Sequence, residues 1–314
     1  MALILAFDFG GTKLTAAVAE TAVLQTRTPK WQAHKRAYSP AENSRESDLA
    51  QIWALADDLL AGQKPAAIGI SFGGPVAYEQ GLVLLSHHVP GWEQTPLAQM
   101  TAERFGLPQA KVKVDNDANA AALGEFFFGA GQGVHSLLYV TVSTGVGGGW
   151  ILAERPYRGH GGLAGEIGHT VVDPTGPVCL CGKRGCVERL ASGPYMAADL
   201  TTALGQPKGS LTGKDVAQMA QSGSPAAAHI LKRGAEALGV GLGNAANLMN
   251  PSRFILGGGV TKSGEQWWQW VRAAARRTAL PEVVFAIVPA ALGDDAPLWG
   301  AVALVNGEWG IENG

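Results

Sequence analysis

Apolar residues gather in short runs that end in glycine clusters, and the spacing within each run predicts its element. Residues 3–7 (LILAF) are continuously apolar and read as a buried strand. Gly10-Gly11-Thr12 turns the chain, and Leu14–Ala19 returns. Residues 45–62 (RESDLAQIWALADDLLAG) carry apolar positions at helical spacing and end on a glycine stop. Ala67–Ser71 is a short strand running into Phe72-Gly73-Gly74-Pro75, a turn by composition. Lys111–Val114 is a further strand that enters DNDANAAALGEFFFG, where Ala118–Phe128 is predicted helical.

From Leu137 the opening pattern returns: LLYVTV a strand, STGVGGG a turn, WILA a return strand. This predicts a duplicated strand–turn–strand module. Thr212-x-x-Asp215 has the form of a capping box. Residues 224–249 read as one long helix stopped at Asn250-Pro251. Phe254–Leu256 is a strand feeding Gly257-Gly258-Gly259, and Pro297–Val305 a closing helix. Strands alternating with helices put the chain in the α/β class.

Composition narrows the function classes. With 24 basic against 26 acidic residues, a net of −2 and an apolar fraction of 46%, the chain has no electrostatic footprint for nucleic acid or an anionic membrane. No apolar run approaches the roughly 20 residues of a spanning helix. The opening MALILAFDFGG lacks a basic region and meets Asp8 early, so it reads as a strand and not a signal peptide. A cytoplasmic protein is expected. The 43 glycines sit mostly at the ends of apolar runs, which suits backbone approaching a ligand.

Three glycine turns follow apolar strands: Gly10–Thr12, Ser143–Gly149 and Gly257–Gly259. Their backbone N–H groups, with a Thr or Ser hydroxyl, can cradle a polyphosphate. Asp8 is placed to hold Mg²⁺ through water. A plain hairpin explains each turn singly; three in this order, behind Asp8, point to a nucleotide. Rival motifs fail. No G-x-x-x-x-G-K-[ST] is present, and Gly241-Leu-Gly243-Asn-Ala-Ala246 lies inside a predicted helix, away from any strand. Asp115-Asn116-Asp117, at a strand-to-helix junction, supports two readings: helix capping, or a base beside a hydroxyl-binding amide.

All three cysteines fall within CLCGKRGC, residues 179–186. There is no C-x-x-C pair, so a thioredoxin-like site is excluded. Three thiols with glycines at 182 and 185 form a knuckle that calls for a fourth ligand, and Cys₃His is an accepted structural zinc set. His169, in GEIGH, completes it. The expected metal ligands are His169, Cys179, Cys181 and Cys186, against the alternative of three inert thiols.

DFGGTK, DNDANAAALGE, STGVGGG, GEIGH, CLCGKRGCVERLASG and LGGGV occur in the order found in the ROK family (repressors, open reading frames and sugar kinases), which the chain resembles from about residue 4 to 305. The resemblance implies a two-domain, actin-like (ribonuclease H-like) duplicated ATPase fold with an interdomain cleft. A small N-terminal domain would span 1–116 with the C-terminal helix from about 297 to 314, and a large domain with the zinc loop 117–296. It implies ATP-dependent phosphorylation of a hexose at its C6 hydroxyl, with Asp117 as base. Gly74, Asn116, Glu166, His169 and Glu188 would join Asp117 in holding the sugar. Asp8, Gly10, Gly11, Thr12, Lys13, Thr144 and Gly145 would serve Mg²⁺ and the phosphates, with Gly258 beside the adenosine.

The resemblance also implies a homodimer or higher homo-oligomer. Glucose is the expected hexose. His88 stands where many family glucokinases carry Asn, leaving N-acetylmannosamine, N-acetylglucosamine or fructose as alternatives, while Pro75 after Gly74 leans towards a neutral hexose. A non-catalytic sugar sensor is the further alternative. A strand beginning at about residue 3 leaves no room for the DNA-reading segment of the family's repressors.

Overall fold

The computed structural model describes residues 2–11, 13–39, 43–86 and 89–306. The chain divides into two compact units, one of residues 1–133, 149–164 and 294–314, the other of 134–148 and 165–293.

The first unit is built on β1 (Leu3–Phe9), β2 (Lys13–Glu20), a short helix α1 (Val23–Thr26), β3 (Ala33–Tyr38), α2 (Arg45–Leu60) and β4 (Ala67–Phe72). A small hairpin, β5 (Val76–Ala77) and β6 (Leu82–Val83), precedes α3 (Leu97–Phe105), β7 (Val112–Asn116) and α4 (Asp117–Phe128). The sheet order is β3-β2-β1-β4-β7. Strand β1 pairs antiparallel with β2, whereas β1, β4 and β7 run parallel. Because alternate residues face opposite sides, Leu3, Leu5, Phe7 and Phe9 join Leu49 and Ile52 of α2 and Leu97 of α3 in one core. The opposite face carries Gly69, whose missing side chain lets the backbone of Ala301 pack on the sheet.

The second sheet contains β8 (Leu137–Val142), β9 (Val146–Leu152), β10 (Arg155–Tyr157), β11 (Arg253–Gly257) and β12 (Ala286–Pro289). Its order, β10-β9-β8-β11-β12, repeats that of the first, with β8, β11 and β12 parallel. The duplication therefore extends beyond strand–turn–strand to a five-stranded module. The second unit's helices are α5 (Val187–Ala191), α6 (Gly193–Ala203), α7 (Gly213–Gln221), α8 (Pro225–Met249) and α9 (Glu265–Thr278). The Thr212–Asp215 capping box forms at the start of α7. Among the described residues no helix is long and apolar enough to cross a membrane.

Two boundaries differ from the sequence expectation. The sequence reading divides the domains at residue 116, but α4 packs with the first unit. Its partner is α10 (Ala296–Leu304), where Gly124 lies on the backbone of Ala296 and Gly300, and Gly300 on that of Ala120. STGVGGG is also not a turn throughout, because β9 starts at Val146. A side chain at Gly148 would meet the Tyr139 and Gly165 carbonyls, and one at Gly149 the Ala118 backbone, so these glycines permit close packing in a strand.

Candidate active site

In the first unit the parallel strands bring chemistry to their carboxyl ends, where ligands of open α/β sheets bind. The register aligns Asp8 with Ser71 and Ser71 with Asp115. Ser71 Oγ donates to Asp8 Oδ1 at 2.7 Å. Burial pushes the Asp8 carboxyl up to about 7; Ser71 opposes the shift, and the nearby Asp117 charge adds to it. Two close carboxylates form the hard oxygen environment that suits Mg²⁺.

The three residues of the Asp115–Asp117 cluster do different things. Asp115 is buried and binds Arg158, with Nε at 2.8 Å and Nη2 at 2.7 Å from Oδ2. Asn116 caps α4, its Oδ1 accepting from the N–H groups of Ala118 at 2.9 Å and Asn119 at 3.3 Å. Its Nδ2 donates to Asp117 Oδ1 at 2.9 Å and to the Gly74 carbonyl at 3.1 Å. Asp117 Oδ1 also accepts the Ala118 N–H, at 2.8 Å, so Asn116 and Asp117 share the cap of α4. Asp115 is committed to a guanidinium, while Asp117 is half-buried at the helix start.

Gly74 joins this group by contact, and a side chain there would fall 2.6 Å from the Leu85 carbonyl. In the β1–β2 turn the Gly10 N–H donates to the Lys13 carbonyl at 3.0 Å, Gly11 is half-exposed and Lys13 exposed. Thr12 and His88 lie outside the described residues.

The second unit gathers the remaining residues. The β8–β9 turn carries Thr144 and Gly145, closed by a Ser143 N–H to Gly145 carbonyl bond of 2.8 Å. Glu188 Oε2 accepts the N–H of Val146 at 3.0 Å, and a side chain at Gly145 would come within 2.8 Å of that oxygen. Beside the turn lies a cavity of about 840 Å³, lined by Ser143, Thr144, Gly193, Thr212, Gly259 and Val260 among others. Gly258 stands behind this wall with φ +89°, and a side chain there would strike the backbone of Val142.

The four residues of the expected knuckle lie together. One ligand atom from each of His169, Cys179, Cys181 and Cys186 lies within 4.8 Å of the others. The Sγ atoms of Cys181 and Cys186 are 3.6 Å apart. A tetrahedral zinc with Zn–S bonds of about 2.3 Å needs an edge of about 3.8 Å. His169 Nδ1 is buried with no hydrogen-bond partner among the described residues, which fits a nitrogen reserved for a metal. Burial pushes the Cys186 thiol up to about 12, and a backbone hydrogen bond from Lys183 holds Cys181 low. Glycine is required at 185, where φ is +62° and a side chain would meet the Asp173 backbone. The scaffold links outward too: the Val187 N–H donates to the Thr170 carbonyl at 3.0 Å, and Cys186 is the residue that starts α5, which carries Glu188. Glu166 is exposed at the head of the short turn ending in His169.

Known proteins are similar to this chain over nearly its whole length. The ROK family model matches residues 4–308. The chain belongs to the ROK family. A glucokinase of Streptomyces coelicolor is 34% identical over 98% of this chain and 98% of its own. An N-acetylmannosamine kinase of Salmonella heidelberg is 32% identical over 97% and 98%. The crystal structure of a ROK family glucokinase from Streptomyces griseus, in complex with glucose and AMPPNP, has a TM-score of 0.77 at 33% identity and covers 96% of this chain and 99% of its own. The ROK fold is the two-domain actin-like sugar-kinase fold, in keeping with the repeated sheets.

Sequence reasoning missed Ser71, Arg158 and the far wall of the cavity, where Lys208, Gly209 and Thr212 lie. Arg158 stands far from Asp115 in the chain, with no local motif to join them.

Proposed function

We propose that the protein is an ATP-dependent hexose kinase that phosphorylates the C6 hydroxyl of glucose. The observation that carries this reading is the division of labour at residues 115–117. Arg158 occupies Asp115, Asn116 donates to Asp117 and Gly74, and Asp117 remains the carboxylate suited to accept a hydroxyl proton. In phosphoryl transfer the protein's tasks are to position the hydroxyl and offset phosphate charge. Asn116 and the Gly74 loop orient the acceptor sugar, and Asp117 takes the C6 proton as the O–P bond forms. In the second unit, Glu166, His169 and Glu188 bind further sugar hydroxyls.

The cavity beside Thr144 receives the adenosine, with Gly258 fixing the bend behind its wall. The β1–β2 turn, with Gly10, Gly11 and Lys13 beside Thr12 in sequence, and the β8–β9 turn, with Thr144 and Gly145, are each assigned to the phosphates. Asp8 would hold Mg²⁺, which would neutralise phosphate charge. His169, Cys179, Cys181 and Cys186 would hold a zinc, and a four-ligand protein set of this kind would give it a structural role.

A kinase for an N-acetylated hexosamine is the second reading, favoured by a relative of that activity at nearly the same identity and coverage. Clustered free cysteines in a metal knuckle support a reducing cytoplasm. A homo-oligomer is proposed on the family resemblance alone. The net charge of −2 gives no support to nucleic-acid binding. The test is ADP release from Mg·ATP across hexoses and N-acetylhexosamines. A dominant response to glucose is expected; a dominant response to an amino sugar would move the substrate, and none with any sugar would overturn the kinase.

A further inference from the structure

Arg158 stands at the neck of a loop, its carbonyl accepting the N–H of Ala164 at 3.1 Å. The guanidinium carbon lies 3.5 Å from the ring centroid of Tyr78, and the pair with Asp115 is withdrawn from water, with side chains 14% and 2% exposed. Burying two charges carries a desolvation cost that pairing need not recover, so such a pair is weak evidence of a stabilising role. Its consequence shows at the carboxylate's other oxygen. Asp115 Oδ1 accepts the backbone N–H of Asn116 at 2.9 Å and the side-chain amide of Asn119 at 3.3 Å. Those two residues flank Asp117, and Asn116 then donates to Asp117 Oδ1 and to Gly74.

We propose that Arg158 is a positioning residue for phosphoryl transfer. It acts through Asp115 to set the angle at which Asn116 presents Asp117 and the Gly74 loop to the sugar. The inference rests on Asp117 being the base. Arg158 is assigned no contact of its own with sugar or nucleotide. Its effect passes along Tyr78, Arg158, Asp115, Asn116 and Asp117, all within the first unit. The planar group matters as well as the charge: it stacks on Tyr78 while Nε donates to Asp115 Oδ2 and Nη2 lies in ion-pair range of the same oxygen, which a lysine cannot do. The second carboxylate oxygen stays aimed at the main chain beside the base.

The test measures kcat, sugar KM and ATP KM for Arg158→Met, Arg158→Lys, Asp115→Asn and the Arg158→Met/Asp115→Asn double variant. Misplacing a reacting group by about 1 Å costs on the order of 100-fold. Arg158→Met is therefore expected to lower kcat about 10- to 100-fold, with ATP KM within about 2-fold of wild type. Arg158→Lys should recover part of that loss. In the Asp115→Asn background Arg158→Met should cost less than about 3-fold more, because the route is already cut.

Equal losses in both backgrounds, or an unchanged kcat in Arg158→Met, would overturn the proposal. Should Arg158→Met fail to fold, Tyr78→Leu removes the stacking platform and keeps the ion pair. That variant and Arg158→Lys should each lower kcat with ATP KM held, and wild-type kcat in both would overturn the proposal. Absence of sugar-dependent ADP release from the wild type would remove the kinase reading and this inference together. Wild-type turnover with a kcat indifferent to residue 158 would remove this inference alone.

Discussion

Glu188 Oε2 accepts the N–H of Val146 at 3.0 Å, joining the helix capped by Cys186, a proposed zinc ligand, to the turn proposed to meet ATP. Cys186 lies two residues before Glu188, so a metal held by the proposed knuckle would fix the origin of the helix whose carboxylate meets that turn. Removing the metal should free the start of α5. Chelation in the absence of ATP is expected to weaken sugar binding at least about 10-fold, the usual scale for losing a supporting contact at a metal site. Calorimetry of sugar binding before and after zinc is stripped and restored checks this. A metal-free protein with full sugar affinity would show the knuckle to be a bystander.

Asp8 gives a pH dependence of defined sign. Its carboxyl is raised from 3.8 to about 7, so the folded apo protein binds this proton more tightly than the unfolded chain does. The resulting stabilisation is full below about pH 3.8, shrinks as pH rises, and is lost through about pH 7. Above that, the charge beside Asp117 costs stability. Asp8→Asn should therefore raise apo stability at about pH 8.5 by about 1–2 kcal/mol, less than the whole shift because an amide accepts the Ser71 hydroxyl more weakly than a carboxylate does, with the gain falling away towards about pH 4. Thermal melts of wild type and variant across that range, without metal, read the difference. A pH-independent gap would refute it. Mg·ATP should then protect wild type more than the variant.

Gly258 has φ +89°, and a side chain would lie 2.7 Å from the carbonyl carbon of Val142 and 2.8 Å from its nitrogen. Gly258→Ala combines a left-handed conformation with a backbone clash. It is expected to cost about 2–3 kcal/mol of stability and to raise ATP KM more than sugar KM, because the displaced segment leads into Gly259 and Val260 on the cavity wall. Chemical denaturation and initial rates with each substrate varied separate the two effects. An alanine variant with wild-type stability would contradict the geometry.

What the sequence made legible follows from what is local. Strand β1 reads directly as a continuous apolar run because both its faces are covered, and α8 reads from its spacing and its Asn250-Pro251 stop. Strand β3, AHKRAY, escapes the same reading because an edge strand with no buried residue leaves no apolar alternation. Helix α9 was readable, since Trp267, Trp268, Val271, Ala274 and Ala275 fall on one helical face, but its charged flanks draw attention away. Gly148 and Gly149 mislead as turn residues because glycine serves close packing as well as reversal.

At the site the same rule holds. The cysteine knuckle is legible because its thiols are neighbours in sequence, and Asn116–Asp117 because they mark a strand-to-helix junction. The choice between Asp115 and Asp117 is not local. It depends on Arg158, which only the folded chain brings to Asp115. The cavity wall at Lys208–Lys214 is likewise assembled by tertiary packing, without a motif.

The central claim is that Asp117 is the base of a sugar kinase. The most direct measurement compares wild type with Asp117→Asn in sugar-dependent ADP release from Mg·ATP, with sugar binding followed by calorimetry on both. General-base catalysis contributes about 10²–10⁴-fold, so kcat should fall by that factor or more while sugar affinity stays within about 3-fold. An Asp117→Asn enzyme that turns over at the wild-type rate would contradict the account.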